Sequence, residues 1–219
     1  MGCLTGKFGL LTLGLLMTGA VMANDKTLLA AVTDGDLATV QQLVAAGTDL
    51  NVRTLDGSSA LLLATRSNQI DIARALIEAG ANVNQKNLIR DSPYLLAGAS
   101  GRNEILQLAL AHGADLKSTN RYGGTALIPA CERGHVETVR LLIAAGTDLD
   151  HVNHLGWTCL MEAIVLSDGG PAHQQIVTQL INAGADLNLP DSQGLSPLQQ
   201  AQKRGQHEIA KLLRDAGAH

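Results

Sequence analysis

Aromatic residues are scarce in this chain, whose 219 residues include one Trp, two Tyr and one Phe, together 2%. Large rings normally contribute much of the buried area of a compact core. Hydrophobic residues nevertheless make up 46% of the sequence, so Ala and Leu must fill the interior. Such side chains suit thin layers of closely packed helices, which favours a stacked helical solenoid over a single compact core.

The sequence also lacks a cluster of basic residues. Lys and Arg number 16 against 20 Asp and Glu, which gives a net charge of −4. Nucleic acids and anionic membrane surfaces are bound through clustered cations. We therefore expect neither a nucleic acid nor a membrane surface as the partner of this acidic chain.

Cysteine is rare as well, and only Cys131 and Cys159 lie beyond the N-terminal segment. Small exported domains held by disulfides carry more cysteines in a shorter chain. These two cysteines occupy offset positions in the repeat described below, and a bridge requires their Cα atoms to lie within about 7 Å. We therefore expect both to be buried free thiols.

A single long apolar run lies near the N-terminus. Lys7 precedes a 14-residue run of apolar and small residues, 8–21, and compact residues follow up to Ala23. The run is shorter than the roughly 20 apolar residues of a membrane-spanning helix, although an uncleaved anchor is the alternative. We expect residues 1–23 to be a signal peptide cleaved after Ala23, and the mature chain to be periplasmic. Cleavage would change the net charge from −4 to −5, because it removes one Lys and no acid.

One short phrase recurs along the rest of the chain: a small residue or His, then Gly, then Ala or Thr, and usually Asp or Asn. Its glycines are spaced 33, 33, 33, 38 and 33 residues apart, at Gly47, Gly80, Gly113, Gly146, Gly184 and Gly217. A fixed period of this length indicates stacked repeats. Glycine often ends a helix because it accepts the left-handed conformation, so we expect each of these glycines to follow a helix.

A second phrase, a Ser or Thr followed by Pro or a small residue, lies 21 residues before the glycine, or 26 in the fifth unit. Its first residues are Ser59, Ser92, Thr125, Thr158 and Ser196. A hydroxyl can cap the free amides of a helix, and Pro is tolerated in the first turn. Apolar residues then recur at helical spacing, as from Ile70 to Ile77. Each unit is therefore predicted to be a helix, a tight turn, a second helix and a polar turn.

The fourth unit carries a family resemblance. Its segments 125–127, 134–137 and 146–149, read as TAL, GHVE and GTDL, resemble the ankyrin repeat consensus almost position by position. The whole of residues 24–219 resembles an ankyrin repeat protein. The resemblance implies an all-α ankyrin-repeat solenoid of about six helix-turn-helix units with short β-hairpin turns. The expected units are about 25–52, 53–85, 86–118, 119–151, 152–189 and 190–219, and the outer two would be caps.

Two units depart from this pattern. The fifth has five extra residues around Asp168, Gly169, Gly170 and Pro171, so we expect residues 168–173 to form a surface loop, either used in recognition or merely tolerated. The stretch resembles a loop in a subgroup of bacterial, exported ankyrin proteins. The third unit has Arg90 where its turn should have Gly. Arg90 would either make a contact or reflect a different turn type, and we expect the different turn type.

In ankyrin proteins the hairpin tips and first helices form a concave binding surface, and the resemblance implies the same surface here. Tyr, Trp and Arg are over-represented among binding hot spots. Trp157 has a second interpretation, as a residue that packs over the neighbouring turn. The residues that we expect to contact a partner are Arg66, Arg121, Tyr122, Glu132, Arg133, His154 and Trp157.

No residue pattern predicts catalysis, a cofactor or a metal site. His151 and His154 are three residues apart but lie in a turn, without a further cysteine or carboxylate set. No nucleophile elbow, phosphate-binding loop or zinc-protease pair occurs.

The sequence thus predicts a monomeric, non-catalytic protein–protein interaction module rather than an enzyme. Accessory, protective and immunity roles are all compatible with this prediction. The alternative is a small-ligand-binding protein or enzyme accessory that uses the 168–173 loop.

Overall fold

The structure, a computed structural model, describes residues 27–219, so the predicted signal peptide at 1–23 lies outside the described residues. The described chain forms a row of helix pairs. Their first members are α1 (27–34), α3 (Ala60–Arg66), α5 (Pro93–Ala99), α7 (Leu127–Glu132), α9 (Cys159–Val165) and α11 (Pro197–Lys203). Their second members are α2 (Leu37–Ala45), α4 (Ile70–Glu78), α6 (Asn103–Ala111), α8 (Val136–Ala144), α10 (Pro171–Ala183) and α12 (His207–Asp215).

The helix pairs stack in chain order. From α3 to α11 each first helix packs on the next first helix, and the second helices pack on one another from α2 to α12. The core is a continuous layer between the two rows, in which Leu61, Leu127, Leu142 and Leu180 have no exposed surface. Because each pair is thin, most of its apolar area is buried by its neighbours rather than by itself. None of the helices within residues 27–219 has the length and apolarity needed to cross a bilayer.

The predicted capping residues begin most of the first helices. The hydroxyls of Ser59, Ser92, Thr158 and Ser196 each accept a hydrogen bond from the amide three residues ahead. Thr125 differs, because α7 begins at Leu127 and the buried Thr125 hydroxyl has no hydrogen-bond partner. At the other end of the pairs, the six glycines of the recurring phrase have φ between +76° and +95°. They therefore end the second helices in the left-handed conformation, as predicted.

Hairpin-shaped turns of five residues connect successive pairs. In the turn that starts at Asn120, the Asn120 amide donates to the carbonyl of Gly124, and its Oδ1 accepts from the amides of Tyr122 and Gly124. The turns starting at Asn87, Asn153 and Asp191 repeat this arrangement. These turns do not extend into β-ladders: the part of the chain that the structure describes contains one isolated bridge, between Arg53 and Ser59.

The expectation of a different turn type at Arg90 is wrong. Arg90 has φ +66°, close to the φ of +77° to +79° of the glycines at the same position, Gly57, Gly123, Gly156 and Gly194. The turn has its usual hydrogen bonds. Asn87 Oδ1 accepts from the Asp91 amide, and the Arg90 amide donates to the Asn87 carbonyl. Arg90 is therefore placed in a backbone region that costs a residue with a Cβ about 1 kcal/mol or more.

The five-residue insertion is only partly a loop. Residues 168–170 are irregular, as predicted, but Pro171 is the first residue of α10, which has 13 residues where each of the other second helices has nine. The fixed φ of Pro suits a first helical turn, and so most of the insertion became an additional turn of helix. His173 Nε2 then lies 3.0 Å from the carbonyl oxygen of Glu132, which fastens this turn to the preceding repeat.

The expectation of free thiols is also wrong, since Cys131 and Cys159 form a disulfide with a Cα–Cα distance of 5.5 Å. Cys131 lies near the end of α7 and Cys159 at the start of α9. The prediction assumed that residues in contact on successive first helices are 33 positions apart in the sequence. The helices are instead staggered, so that residues 28 apart meet, and both cysteines are fully buried at that contact.

Asn and Asp side chains connect the outer ends of the repeats. Asn51 Oδ1 accepts from the amide of Asn82 at 2.9 Å, and Asn84 Oδ1 accepts from the amide of Asp115 at 2.9 Å. The same contact recurs from Asp150 to Asp186 and from Asn188 to His219. The corresponding position of the third unit holds Lys117, which has no side-chain acceptor, so this row of bonds has a gap.

Candidate functional site: the groove beside the turns

A groove of about 400 Å³ lies beside the turns, on the side of the stack that the first helices face. Helices α5, α7 and α9 supply its floor, and the turns at 87–91, 120–124 and 153–157 supply its edge. The floor is apolar at Leu95, Leu96, Ile128 and Pro129, and it becomes polar toward Glu132 and Glu162. The groove therefore spans three consecutive repeats in the middle of the chain.

Exposed apolar side chains lie on the tips of successive turns beside and beyond this groove. They occupy two adjacent positions of the repeat and are 51% to 103% exposed: Leu55, Leu88, Ile89, Tyr122 and Leu155. We call these five residues the tip row. No residue within 27–219 covers these side chains. Of this row, the sequence interpretation selected only Tyr122, although the spacing of 33 residues would have identified the others.

Arg121 and Tyr122 form a connected pair on the central tip. The Arg121 guanidinium carbon lies 4.7 Å from the centroid of the Tyr122 ring, and its Nη1 lies 3.7 Å from an oxygen of Asp91. The hydrogen bond from Arg121 to Tyr122 raises the pKa of Arg121 further. These contacts place a large exposed ring against a cation at the groove edge.

Glu162 is a buried carboxyl group at the polar end of the groove. Its side chain is 5% exposed, and Asn153 Nδ2 donates to Glu162 Oε1 at 2.7 Å. Burial, and next the nearby charge of Glu132, raise the pKa of Glu162 to about 7. Sequence interpretation missed this residue. Alignment of the repeats would have identified it, since the earlier units have the apolar residues Leu63, Leu96 and Pro129 at this position.

Glu132 and Arg133 end α7 next to Glu162. Arg133 Nη1 donates to the carbonyl oxygen of Ala99 at 2.6 Å, which directs its charge toward the end of α5. Within residues 27–219, the ion pairs are Arg121–Asp91, Arg140–Glu137 and Lys211–Asp215. The Glu132 and Glu162 carboxyl groups therefore share one end of the groove without a paired cation.

Comparison with known proteins identifies the repeat. A family model for ankyrin repeats in three copies matches residues 11–87, 28–120 and 94–191. The chain belongs to the ankyrin repeat family. Ankyrin repeats generally mediate protein–protein binding and do not catalyse reactions.

Three ankyrin relatives illustrate the match. A solved ankyrin repeat domain from Acinetobacter baumannii AYE is 56% identical with a TM-score of 0.86, and the alignment covers 88% of this chain and 98% of that one. The solved ankyrin repeat protein EF0377 is 42% identical with a TM-score of 0.83, over 85% and 96% of the two chains. YahD, an ankyrin repeat protein of Escherichia coli, is 52% identical over 58 residues, 26% of this chain and 29% of YahD.

The ankyrin groove contains four of the seven residues predicted from the sequence: Arg121, Tyr122, Glu132 and Arg133. The other three lie elsewhere. Arg66 donates to the Ser58 hydroxyl at 3.3 Å, two repeats before Glu132 at the same repeat position. His154 is exposed and packs over Gly123, and Trp157 is half-buried where its carbonyl closes the turn.

The remaining candidate groups have structural contacts. His151 Nε2 lies 2.7 Å from the carbonyl oxygen of Gly123, and no set of three or more His, Cys, Asp or Glu residues within 27–219 could hold a metal ion. In the insertion, Asp168 Oδ1 accepts from the amide of Gly170, and Gly169 lies against the side chain of Gln206. Pro171 lies at a separate, open depression between α10 and α12, so residues 168–173 do not contribute to the groove.

Proposed function

We propose that this ankyrin protein is exported to the periplasm and binds another protein there through the groove and the tip row. The observation that carries the proposal is the tip row itself. Five large side chains exposed at two adjacent positions of successive repeats form an ordered apolar edge beside a groove. Such edges are typical of protein-binding surfaces, whereas isolated exposed apolar residues need no partner.

The proposed contact set keeps the residues expected from the sequence and adds four from the tip row. Tyr122 and Arg121 would form its centre, since aromatic and Arg side chains in partly enclosed positions contribute most to binding. The complete set is Arg66, Arg121, Tyr122, Glu132, Arg133, His154 and Trp157, with Leu55, Leu88, Ile89 and Leu155.

Export is supported by two independent features. The N-terminal segment has the charge and apolar run of a signal peptide. The Cys131–Cys159 disulfide is of the kind that persists in oxidising compartments such as the periplasm. Mass spectrometry of the chain recovered from a periplasmic fraction should give an N-terminus at Asn24; an intact Met1 on that material would contradict cleavage.

Binding is tested by co-purification of the tagged mature chain from the periplasm, followed by affinity measurement with the protein recovered. Tyr122→Ala combined with Trp157→Ala should weaken capture by more than about 2 kcal/mol. Arg140→Ala on α8 is the matched control, because Arg140 is exposed and pairs with Glu137 on the far row of helices. Thermal melting must show that the double variant is folded. Unchanged affinity in a folded double variant would remove these residues from the contact set.

The identity of the captured protein decides between accessory, protective and immunity roles. Replacing residues 168–172 by a tight turn tests the small-ligand alternative. That alternative predicts that the variant no longer binds the small ligand. A partner held by the groove should bind this variant as well as it binds the native chain.

A further inference from the structure

The repeat does not require a buried carboxyl group at the position of Glu162. The three preceding units have Leu63, Leu96 and Pro129 at its position. A carboxyl group at this position is removed from water. The free energy of desolvation is offset only if a hydrogen bond or an opposite charge compensates the group. Asn153 supplies one hydrogen bond to Oε1, which satisfies part of the group.

The last repeat shows that the hydrogen bond itself does not need an acid on the helix. There Asp191 replaces the turn residue Asn153, and Gln200 replaces Glu162; Gln200 Nε2 donates to Asp191 Oδ2 at 2.5 Å. Asp191 also accepts from two turn amides. In that repeat the acid lies in the turn and the neutral amide on the helix. Glu162 places the acid on the groove side instead.

Glu132 makes this acid part of a pair. Its charge is close enough to disfavour ionisation of Glu162, and Glu132 has no cationic side chain within ion-pair distance in the described part of the chain. The two arginines of the groove contact other groups. Arg133 donates to the Ala99 carbonyl and Arg121 lies against Tyr122 and Asp91, and the charge of Arg133 offsets only part of the effect of burial and Glu132 on the pKa of Glu162. The polar end of the groove thus has two carboxyl groups, and within residues 27–219 no cation is in ion-pair contact with either of them.

We propose that the groove receives a lysine or arginine side chain of the partner protein, whose cation pairs with Glu132 and Glu162. This inference rests on the proposed function and specifies the chemistry of the partner. Such a side chain has an apolar stem and a charged end, and the groove has the same two parts. Ile128, Pro129 and Leu155 line its apolar portion, and the two carboxyl groups lie at its polar end.

A side-chain cation fits these groups better than a metal ion. No third His, Cys, Asp or Glu completes a metal set within residues 27–219, and bound divalent cations usually take more protein oxygen ligands than two carboxyl groups supply. An ammonium or guanidinium group, in contrast, forms strong charge-assisted hydrogen bonds with one or two carboxylates. The apolar walls further favour an organic cation over a hydrated ion.

The direct test is an NMR titration of the full mature chain with Nα-acetyl-arginine methylamide and its lysine counterpart. The citrulline analogue is the matched probe, since it keeps the shape of arginine and lacks the charge. We expect the cationic probes to shift resonances of Glu132, Glu162 and Leu155, with an affinity at least about tenfold above that of citrulline. Equal binding of citrulline, or no shift at the groove with any probe, would overturn the inference.

Two conservative variants assign the effect to the carboxyl groups. Glu132→Gln and Glu162→Gln should each weaken the binding of the cationic probe severalfold, and Glu162→Gln keeps a side-chain oxygen that accepts from Asn153 Nδ2 as Glu162 Oε1 does. Glu208→Gln is the control, because Glu208 lies on α12 beside the other depression. If calcium ions shift the same resonances and the arginine probe does not, the pair is a metal site and the inference is wrong.

Partner capture separates this inference from the proposed function. If Tyr122→Ala with Trp157→Ala abolishes capture while Glu132→Gln with Glu162→Gln leaves it intact, the groove binds a partner without a basic anchor. If both pairs of changes reduce capture, both ideas are supported. If neither reduces it in folded protein, both are wrong.

Discussion

Gly98 in α5 meets Ala126, just before α7, so closely that a Cβ on Gly98 would lie 2.8 Å from the Cβ of Ala126. One repeat later the same two positions hold Cys131 and Cys159. Both pairs are separated by 28 residues. At this pair of positions, α5 and α7 come together because Gly98 has no side chain, whereas α7 and α9 are joined by a disulfide bond.

Gly98→Ala should destabilise the protein by about 1 to 3 kcal/mol, because the added methyl group has no space. This outcome is informative because Ala is the better helix former by about 1 kcal/mol where no contact interferes. Combining Gly98→Ala with Ala126→Gly should restore much of the loss, since the total volume is conserved. Urea unfolding of both single variants and the double variant measures the coupling; a higher midpoint for Gly98→Ala alone would contradict the contact.

Arg90→Gly should stabilise the protein by about 1 kcal/mol, because glycine adopts the left-handed conformation without the Cβ penalty. The matched change is Gly194→Arg at the same turn position, where an added Cβ meets nothing within 4 Å. It should cost a similar amount through backbone strain alone. Thermal unfolding of the two variants should therefore shift in opposite directions, and shifts of the same sign would exclude this explanation.

Reduction of the Cys131–Cys159 disulfide should lower the free energy of unfolding by about 3 to 4 kcal/mol, the chain-entropy value for closing a loop of 28 residues. The comparison is urea unfolding with and without dithiothreitol. The Cys131→Ala, Cys159→Ala protein is the control, since its stability should not respond to the reductant. A native chain that is equally stable in both conditions would show that the bond adds nothing to stability.

Glu162 should make stability fall as the pH rises from about 4.5 toward 7. Its folded pKa of about 7 exceeds the ordinary 4.5, so in this window the folded chain retains a proton that the unfolded chain has released. The free energy of unfolding then decreases with pH, by at most about 1.4 kcal/mol per pH unit. Glu162→Gln removes this dependence, so the variant should gain on the native chain between pH 5 and pH 8.

The comparison of these two proteins cancels other titrations. Burial lowers the pKa of His135, which costs stability as the pH falls, and this slope has the opposite sign and is present in both chains. Chemical unfolding at each pH provides the difference in stability. A difference that does not change with pH would show that Glu162 is ionised throughout.

Much of the fold could be predicted from local chemistry. The glycines after the second helices and the capping hydroxyls of Ser59 and Ser196 act within a few residues of their own position, so their spacing identified the helices. The stagger of α7 and α9 was not accessible in this way, because it depends on how two helices pack. For the same reason the sequence predicted free thiols where the structure has the disulfide.

The candidate site was predicted less completely. Arg121, Tyr122, Glu132 and Arg133 were identified from residue type and repeat position, and all four line the groove. Glu162 was overlooked because a lone Glu on a short helix looks like a solvated residue until its burial is known. The five-residue insertion was expected to remain a loop, although Pro171 at its centre is also a favourable first residue for a helix.

The gap at Lys117 removes one hydrogen bond from the junction that the groove spans. Each neighbouring junction has an Asn or Asp that clasps the next repeat, while the junction between the third and fourth units depends on contacts such as Thr138 with Asn103. Helices α5 and α7 lie on opposite sides of this junction, and both line the groove. A rotation at this junction would change the width of the groove, and the missing bond is one that such a rotation would not have to break.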